Sequence, residues 1–254
     1  MKIWAVALNT FKETIRDRIL YNLLVFALLM IGLTIALGEL TVGEQVKIAT
    51  DLGLACISIF GTLIAIFLGI GLVGKEIERK TIYSLVAKPL PRYQFLLGKF
   101  GGLFLTILCN LAIMTAAYAG VLSYMAASFT WPLIQAILLI LVELAIIIAA
   151  ALLFSTFSSP TLSAIFTLAF FVIGRMSEDL REFGAKSKNL LYQYLAQALY
   201  TLLPNLSNYS RLHAAAYGEA LALNLFLPIV ALGVLTTALL LGSAMLIFQR
   251  RDFT

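Results

Sequence analysis

Apolar stretches with few or no charges recur along this chain, and a bilayer is the one solvent that suits them. A helix needs about 20 such residues to cross a ~30 Å hydrocarbon core. Six runs stand out, at roughly 20–38, 52–74, 96–124, 132–154, 160–175 and 221–248. Lipid offers no hydrogen-bond partners, so each run has to satisfy its own backbone, and helices do that. The expected fold is an all-α membrane protein with six transmembrane helices in a single domain, residues 1–254. The fifth run is short for a span and is expected to be broken, tilted or partly re-entrant. Only 12% of the residues are charged, against about a quarter in a soluble domain.

Residues 1–19 are amphipathic. Ile3, Trp4, Ala7, Leu8, Phe11, Ile15 and Ile19 recur at helical spacing, with Lys2, Asn9, Lys12, Glu13, Arg16 and Asp17 on the other side. The charges run on to Arg18 and no A-x-A site follows the first run, so a cleavable signal is a poor fit. A helix lying in the membrane surface is expected, with Trp4 at head-group depth.

Orientation follows from counting Lys and Arg. With the N-terminus cytoplasmic, twelve of eighteen fall inside: Lys2, Lys12, Arg16 and Arg18, then Lys75, Arg79, Lys80, Lys88, Arg92 and Lys99, then Arg250 and Arg251. Outside lie Lys47, Arg175, Arg181, Lys186, Lys188 and Arg211, most of them in a long segment that weighs less. The expectation is a multi-pass protein of the cytoplasmic (inner) membrane with both termini cytoplasmic. The net charge of +5 then calls for anionic head groups rather than nucleic acid. Cys56 and Cys109 sit inside apolar runs without C-x-x-C spacing, and read as small core residues.

The stretch GIGLVGKE, residues 69–76, imitates two nucleotide motifs. Gly69, Gly71 and Gly74 fit G-x-G-x-x-G, and Lys75 follows Gly74 as in a phosphate loop. A phosphate loop needs a strand before it and free backbone N–H groups, whereas GTLIAIFL before Gly69 continues a membrane run. Glu76 also places a carboxylate where a hydroxyl should meet Mg²⁺. The glycines are expected to let neighbouring helices approach closely. With no other phosphate loop in the sequence, ATP-driven work would need a separate subunit to bind the nucleotide.

Two polar segments break the apolar pattern. In the cytoplasmic one, residues 75–95, Ile77, Thr81 and Leu85 line one face of a short helix that stops at Lys88-Pro89, and Pro91-Arg92 restarts the chain. The external one, residues 176–220, opens a helix at Ser177-Glu178-Asp179 and ends its apolar face before Pro204-Asn205. Residues 155–160, from Ser155 to Pro160, read as the tight cytoplasmic turn between spans four and five.

The sequence GKEIERKTIYSLVAKPLPRYQFLLGKF resembles the cytoplasmic segment of type-2 (exporter) ABC transporter permeases. The matching residues are Glu76, Glu78, Thr81, Leu85, Pro91, Arg92, Leu96, Leu97, Gly98 and Lys99, with Lys80 where the family has Gly. The layout agrees throughout, from the N-terminal surface helix to the tail FQRRDF. What the resemblance implies is a non-enzymatic subunit that pairs with a second permease, as homodimer or heterodimer, and sits on two copies of an ABC-type ATPase. It implies that the 75–95 segment couples the two, with Glu76, Glu78, Arg79, Lys80, Thr81, Leu85, Pro91 and Arg92 at the interface. Without it, the same charges read as a solvated turn obeying the positive-inside pattern.

Glu143 is the one acidic residue deep in a run. It belongs either to the substrate path or a conformational lock, or to a hydrogen bond between spans with Asn110 or Gln135 as partner. His213 has no companions at ligand spacing and reads as solvated, and Tyr192, Tyr194, Tyr200 and Tyr209 read as an interfacial belt. The leading function is an ATP-driven permease working by alternating access. The alternatives are a same-fold subunit that transmits ATPase motion to a periplasmic or extracellular partner protein, and an ion-driven secondary transporter. The second is disfavoured by scarce intramembrane charge and the lack of inverted repeats.

Overall fold

The structure, a computed structural model, describes residues 2–39, 44–78, 91–186, 190–202, 204–210 and 215–250. The regular elements among them are helical. In chain order they are α1 (Lys2–Ile15), α2 (Arg18–Glu39), α3 (Gln45–Glu78), α4 (Arg92–Tyr124) and α5 (Trp131–Phe157). Then come α6 (Pro160–Arg175), α7 (Ser177–Lys186), α8 (Leu190–Leu202), a 3-10 turn at Leu206–Tyr209, and α9 (Leu223–Arg250).

Five of these, α2, α3, α4, α5 and α9, are long and apolar enough to cross a bilayer. The short fifth run becomes α6, whose 16 residues reach about 24 Å at 1.5 Å per residue. α7 leaves it at 61°, so the pair forms a sixth crossing only as one bent unit. The cause is local. Ser177 begins a new helix with Glu178 and Asp179 in its first turn, where carboxylates suit the positive helix end.

α3 and α5 make the centre. Residues Ile146 through Leu152 of α5 are all fully buried, as expected of a helix that is apolar on every side. Glycines of α3 set the spacing: Gly53 lies under the Tyr118 ring of α4, while Gly61 and Gly69 face Leu144 and Ala151 of α5. A β-carbon at Gly69 would come within 2.6 Å of the Ala151 β-carbon. Lipid is as apolar as leucine, so helix association in a membrane leans on such close approach. Gly71 departs from the expectation, because open space lies beside it. Cys109 departs too: it is exposed on the outer side of α4, and Cys56 is half-buried.

Helix ends gather at two faces. At one, Phe95 of α4 stacks on Phe248 of α9 at 6.3 Å. At the other, the Gln135 side chain meets the backbone of Leu221, just ahead of α9.

α1 corrects the sequence reading in two ways. It ends at Ile15 rather than running to 19, because the Asp17 carboxylate accepts from the Ile19 N–H at 3.0 Å and starts α2. It also has three sides rather than two. Ala7, Thr10 and Thr14 are buried against α4, where Gly98, Gly101 and Gly102 offer a flat strip. Trp4 and Leu8 form an exposed apolar side, and Asn9, Lys12, Glu13 and Arg16 an exposed polar one. A helix shaped this way can lie at a membrane surface while fastened sideways to a span.

Candidate functional site

The first candidate is the junction around residues 75–95. α3 runs unbroken for 34 residues to Glu78, and α4 opens at Arg92 with Pro91 in the N-cap position. Residues 69–76 therefore lie on continuous helix, not on a loop. Arg79, Lys80, Thr81 and Leu85 lie outside the described residues. Of Glu76, Glu78 and Arg92 the backbone alone is described, while Pro91 is exposed.

The motif that opens α4 has a clear packing role. Leu96 is buried, and Gly98 sits so close beneath Val6 that a β-carbon there would fall 2.6 Å from the Val6 β-carbon. Lys99 is 2% exposed, with its Nζ 4.0 Å from the Glu13 carboxylate and 5.5 Å from the Phe95 ring centre. The Leu-Leu-Gly-Lys stretch is thus the seat of α1.

The second candidate is a polar cluster near the middle of α5. Glu143 is fully buried, and its Oε1 accepts from Arg175 Nη1 at 3.1 Å. The same Nη1 lies 3.0 Å from Ser58 Oγ of α3. Arg175 Nη2 donates to Ser210 Oγ, and the guanidinium stands 5.6 Å from the Phe171 ring centre. Glu143 Oε2 has no hydrogen-bond partner among the described residues. An ionised carboxylate at that depth costs several kcal/mol if left alone, and an arginine with two serine hydroxyls offsets much of that.

Neither partner conceived from the sequence takes part. Asn110 Nδ2 donates to the Thr106 carbonyl of its own helix at 2.8 Å. Gln135 spends its amide on Leu221, giving to the carbonyl and accepting from the N–H, both at 2.9 Å. The sequence places Arg175 outside with the external segment, whereas the structure turns its guanidinium onto Glu143 of α5. The signal that could have pointed to it was the length of the fifth run: 16 residues are short for a crossing, so the charge that ends them need not reach the water outside.

The chain then folds back. Ser177 Oγ lies 2.9 Å from the Asn205 side-chain oxygen, which also accepts from the Ser207 N–H at 3.1 Å. Leu206 is fully buried over Gly174, where a β-carbon would fall 2.9 Å from its side chain. Tyr209 departs from the belt reading: it is buried, its hydroxyl 3.4 Å from the Ile229 carbonyl of α9. Tyr192 and Tyr194 are exposed, and Tyr200 carries the Arg181 guanidinium at 4.7 Å from its ring centre. His213 lies outside the described residues. Among the described residues no group of three or more His, Cys, Asp or Glu is placed to hold a metal ion.

Two comparisons bear on this arrangement. No curated protein matches the chain. Residues 4–253 match the family model described as ABC-2 family transporter protein.

Proposed function

The chain belongs to the ABC-2 transporter family, and from that premise we propose that it is a permease subunit pairing with a second permease over two ABC ATPases. In this reading ATP is bound and hydrolysed by the partner subunits. Residues 75–95 receive their closing motion, and the paired spans alternate access to the substrate. The balance of Lys and Arg supports an inner-membrane protein with both termini cytoplasmic.

The observation that carries the coupling role is the continuity of helix on both sides of that segment. α3 enters it at Glu78 after an unbroken run from Gln45, and α4 leaves it at Arg92. A push delivered between two stiff rods moves both rods, and packed helices respond by rigid shear or rotation. The docking of α1 on Gly98 and Lys99 adds a third rod at the same end.

Affinity purification of the intact chain co-expressed with a candidate ABC ATPase from the same genome tests this reading. The ATPase is expected to stay bound, and Glu78→Lys or Arg92→Glu to lower its retention at least tenfold with the permease still in the membrane. An ATPase that never co-purifies, or that binds both variants like wild type, would overturn the assignment.

A further inference from the structure

We propose that α1 carries a binding site for an anionic phospholipid, whose phosphate sits between Lys12 and Arg16 at the corner where α1 meets α2. Such a site needs a bilayer-spanning chain and takes nothing from the transport reading.

One side of α1 forms a ridge. Trp4, Leu8, Lys12 and Arg16 follow one another at four-residue intervals, the spacing that stacks side chains on one side of a helix. All four are exposed. The first two are apolar and the last two cationic. Arg16 follows in the tighter turn that closes α1, its N–H donating to the Glu13 carbonyl at 3.2 Å. At 1.5 Å per residue the two cations stand about 6 Å apart along the axis, within reach of one phosphate. The ridge also winds by about 40° at each step, because four residues slightly overshoot a turn of 3.6. Its start and its end therefore face different surroundings.

The neighbouring carboxylates are spent on the protein. Glu13 turns to the other side of α1, 4.0 Å from the buried Lys99 of α4. The Asp17 carboxylate accepts from the Ile19 N–H at 3.0 Å and caps α2. Among the described residues Lys12, Arg16 and Arg18 form no ion pair. The corner thus presents cations outward while its acids are engaged elsewhere.

Depth is set by α2. That crossing begins at Arg18, so the corner stands where hydrocarbon ends and head groups begin. Ile19 and Tyr21 in its first turn are exposed and meet lipid. With α1 fastened sideways to α4, the start of the ridge faces acyl chains and its winding brings Lys12 and Arg16 to head-group level. Apolar and basic sides placed this way are what an interfacial helix offers to anionic lipid.

The seat of α1 separates a site from diffuse attraction. Ala7, Thr10 and Thr14 are buried on the glycine strip of α4, so the backbone under both cations is held before any lipid arrives. Preorganisation of this kind lowers the ordering cost of binding. Charge selects the ligand: phosphatidylcholine carries its own cation beside the phosphate, whereas phosphatidylglycerol leaves its phosphate to be paired by Lys12 and Arg16.

The test uses the full chain in bilayers that mix brominated phosphatidylcholine with plain phosphatidylglycerol. Trp4→Phe and Trp131→Phe remove the native indoles, and Leu8→Trp places a reporter one turn from Lys12. Bromine quenches an indole at close range, so phosphatidylglycerol held at the site keeps the reporter bright. Each cation near an anionic leaflet is worth about fivefold in affinity, so phosphatidylglycerol should be preferred about 25-fold with both present. The preference should fall to about fivefold with Lys12→Gln or Arg16→Gln alone, and vanish with both. Pure brominated phosphatidylcholine should quench every variant alike, which shows that α1 keeps its seat. Trp131 left in place, with Trp4→Phe, reports the opposite face and should show no preference.

Equal preference at the two reporters would mean diffuse attraction and overturns the site. So does a preference that survives the double variant, or none with Lys12 and Arg16 intact. A reporter that pure brominated phosphatidylcholine leaves bright puts α1 away from lipid and overturns it too. If lipid preference is absent while the double variant sheds a co-expressed ABC ATPase, the cations serve a protein partner instead.

Discussion

Gly101 and Gly102 are neighbours on α4, and Ala at the two positions should have opposite effects. Either substitution gains helix propensity of about 1 kcal/mol, because glycine is the poorest helix former after proline. At Gly101 the new β-carbon would lie 3.6 Å from the Ala7 β-carbon, ordinary van der Waals contact. At Gly102 it would lie 2.5 Å from the Ala7 carbonyl oxygen and 2.6 Å from the Thr10 β-carbon. Neither obstacle is the free end of a flexible side chain, so α1 has to move as a body until the contact clears 3.0 Å. Overpacking of this kind costs about 1–3 kcal/mol. The propensity gain is common to both variants, so their difference isolates that cost. Thermal unfolding in detergent measures it, with each kcal/mol worth about 2–4 °C in Tm for a chain of this size. Gly101→Ala is expected at or above wild type, and Gly102→Ala below Gly101→Ala by that interval. Trypsin cleavage after Lys12 and Arg16 gives an independent reading, since an undocked α1 is cut faster. Equal Tm values and equal cleavage rates would refute the docking geometry.

Gln135→Leu should lower stability by about 2–3 kcal/mol, because it strips both the backbone N–H and the carbonyl of Leu221 of their partner; an unchanged Tm would mean that water takes over both bonds. Tyr118→Phe should cost less than about 1 kcal/mol, since the hydroxyl stands a long 3.4 Å from the Thr50 carbonyl. Gly53→Ala drives a β-carbon within 2.5 Å of the fully buried Tyr118 ring. At the upper end of the usual overpacking cost of about 1–3 kcal/mol, it should cost more than Tyr118→Phe even after the helix-propensity gain of about 1 kcal/mol. Unfolding midpoints that reverse this order would show that the ring yields and that its hydroxyl matters more than its bulk.

Some of the site was legible before any coordinates and some was not, and the division follows the physics. Pro91 as the start of α4 and Ser177 as the start of α7 could be read directly, because caps and proline act over a few residues. Glu143 stood out as the acidic residue in a run, yet its partner did not. α5 is apolar on every side, so nothing in the sequence says which side Glu143 occupies or what it faces. α1 misled for a related reason. Ala7 reads with the apolar side and Thr10 and Thr14 with neither, because small residues carry little signal, while packing gave the three one side of their own.

What the sequence determined by itself was where the chain crosses a bilayer and how long each crossing is. Hydrocarbon thickness and the cost of a buried charge act on every residue in order, so run length alone places α2, α4, α5 and α9 to within a few residues, while α3 begins well before its run, at Gln45. What tertiary structure decided was rotation and pairing: which glycine meets which neighbour, and which arginine meets Glu143. Those choices depend on how side chains from distant parts of the chain fit together. A helix that lipid accepts from every direction carries no mark of them.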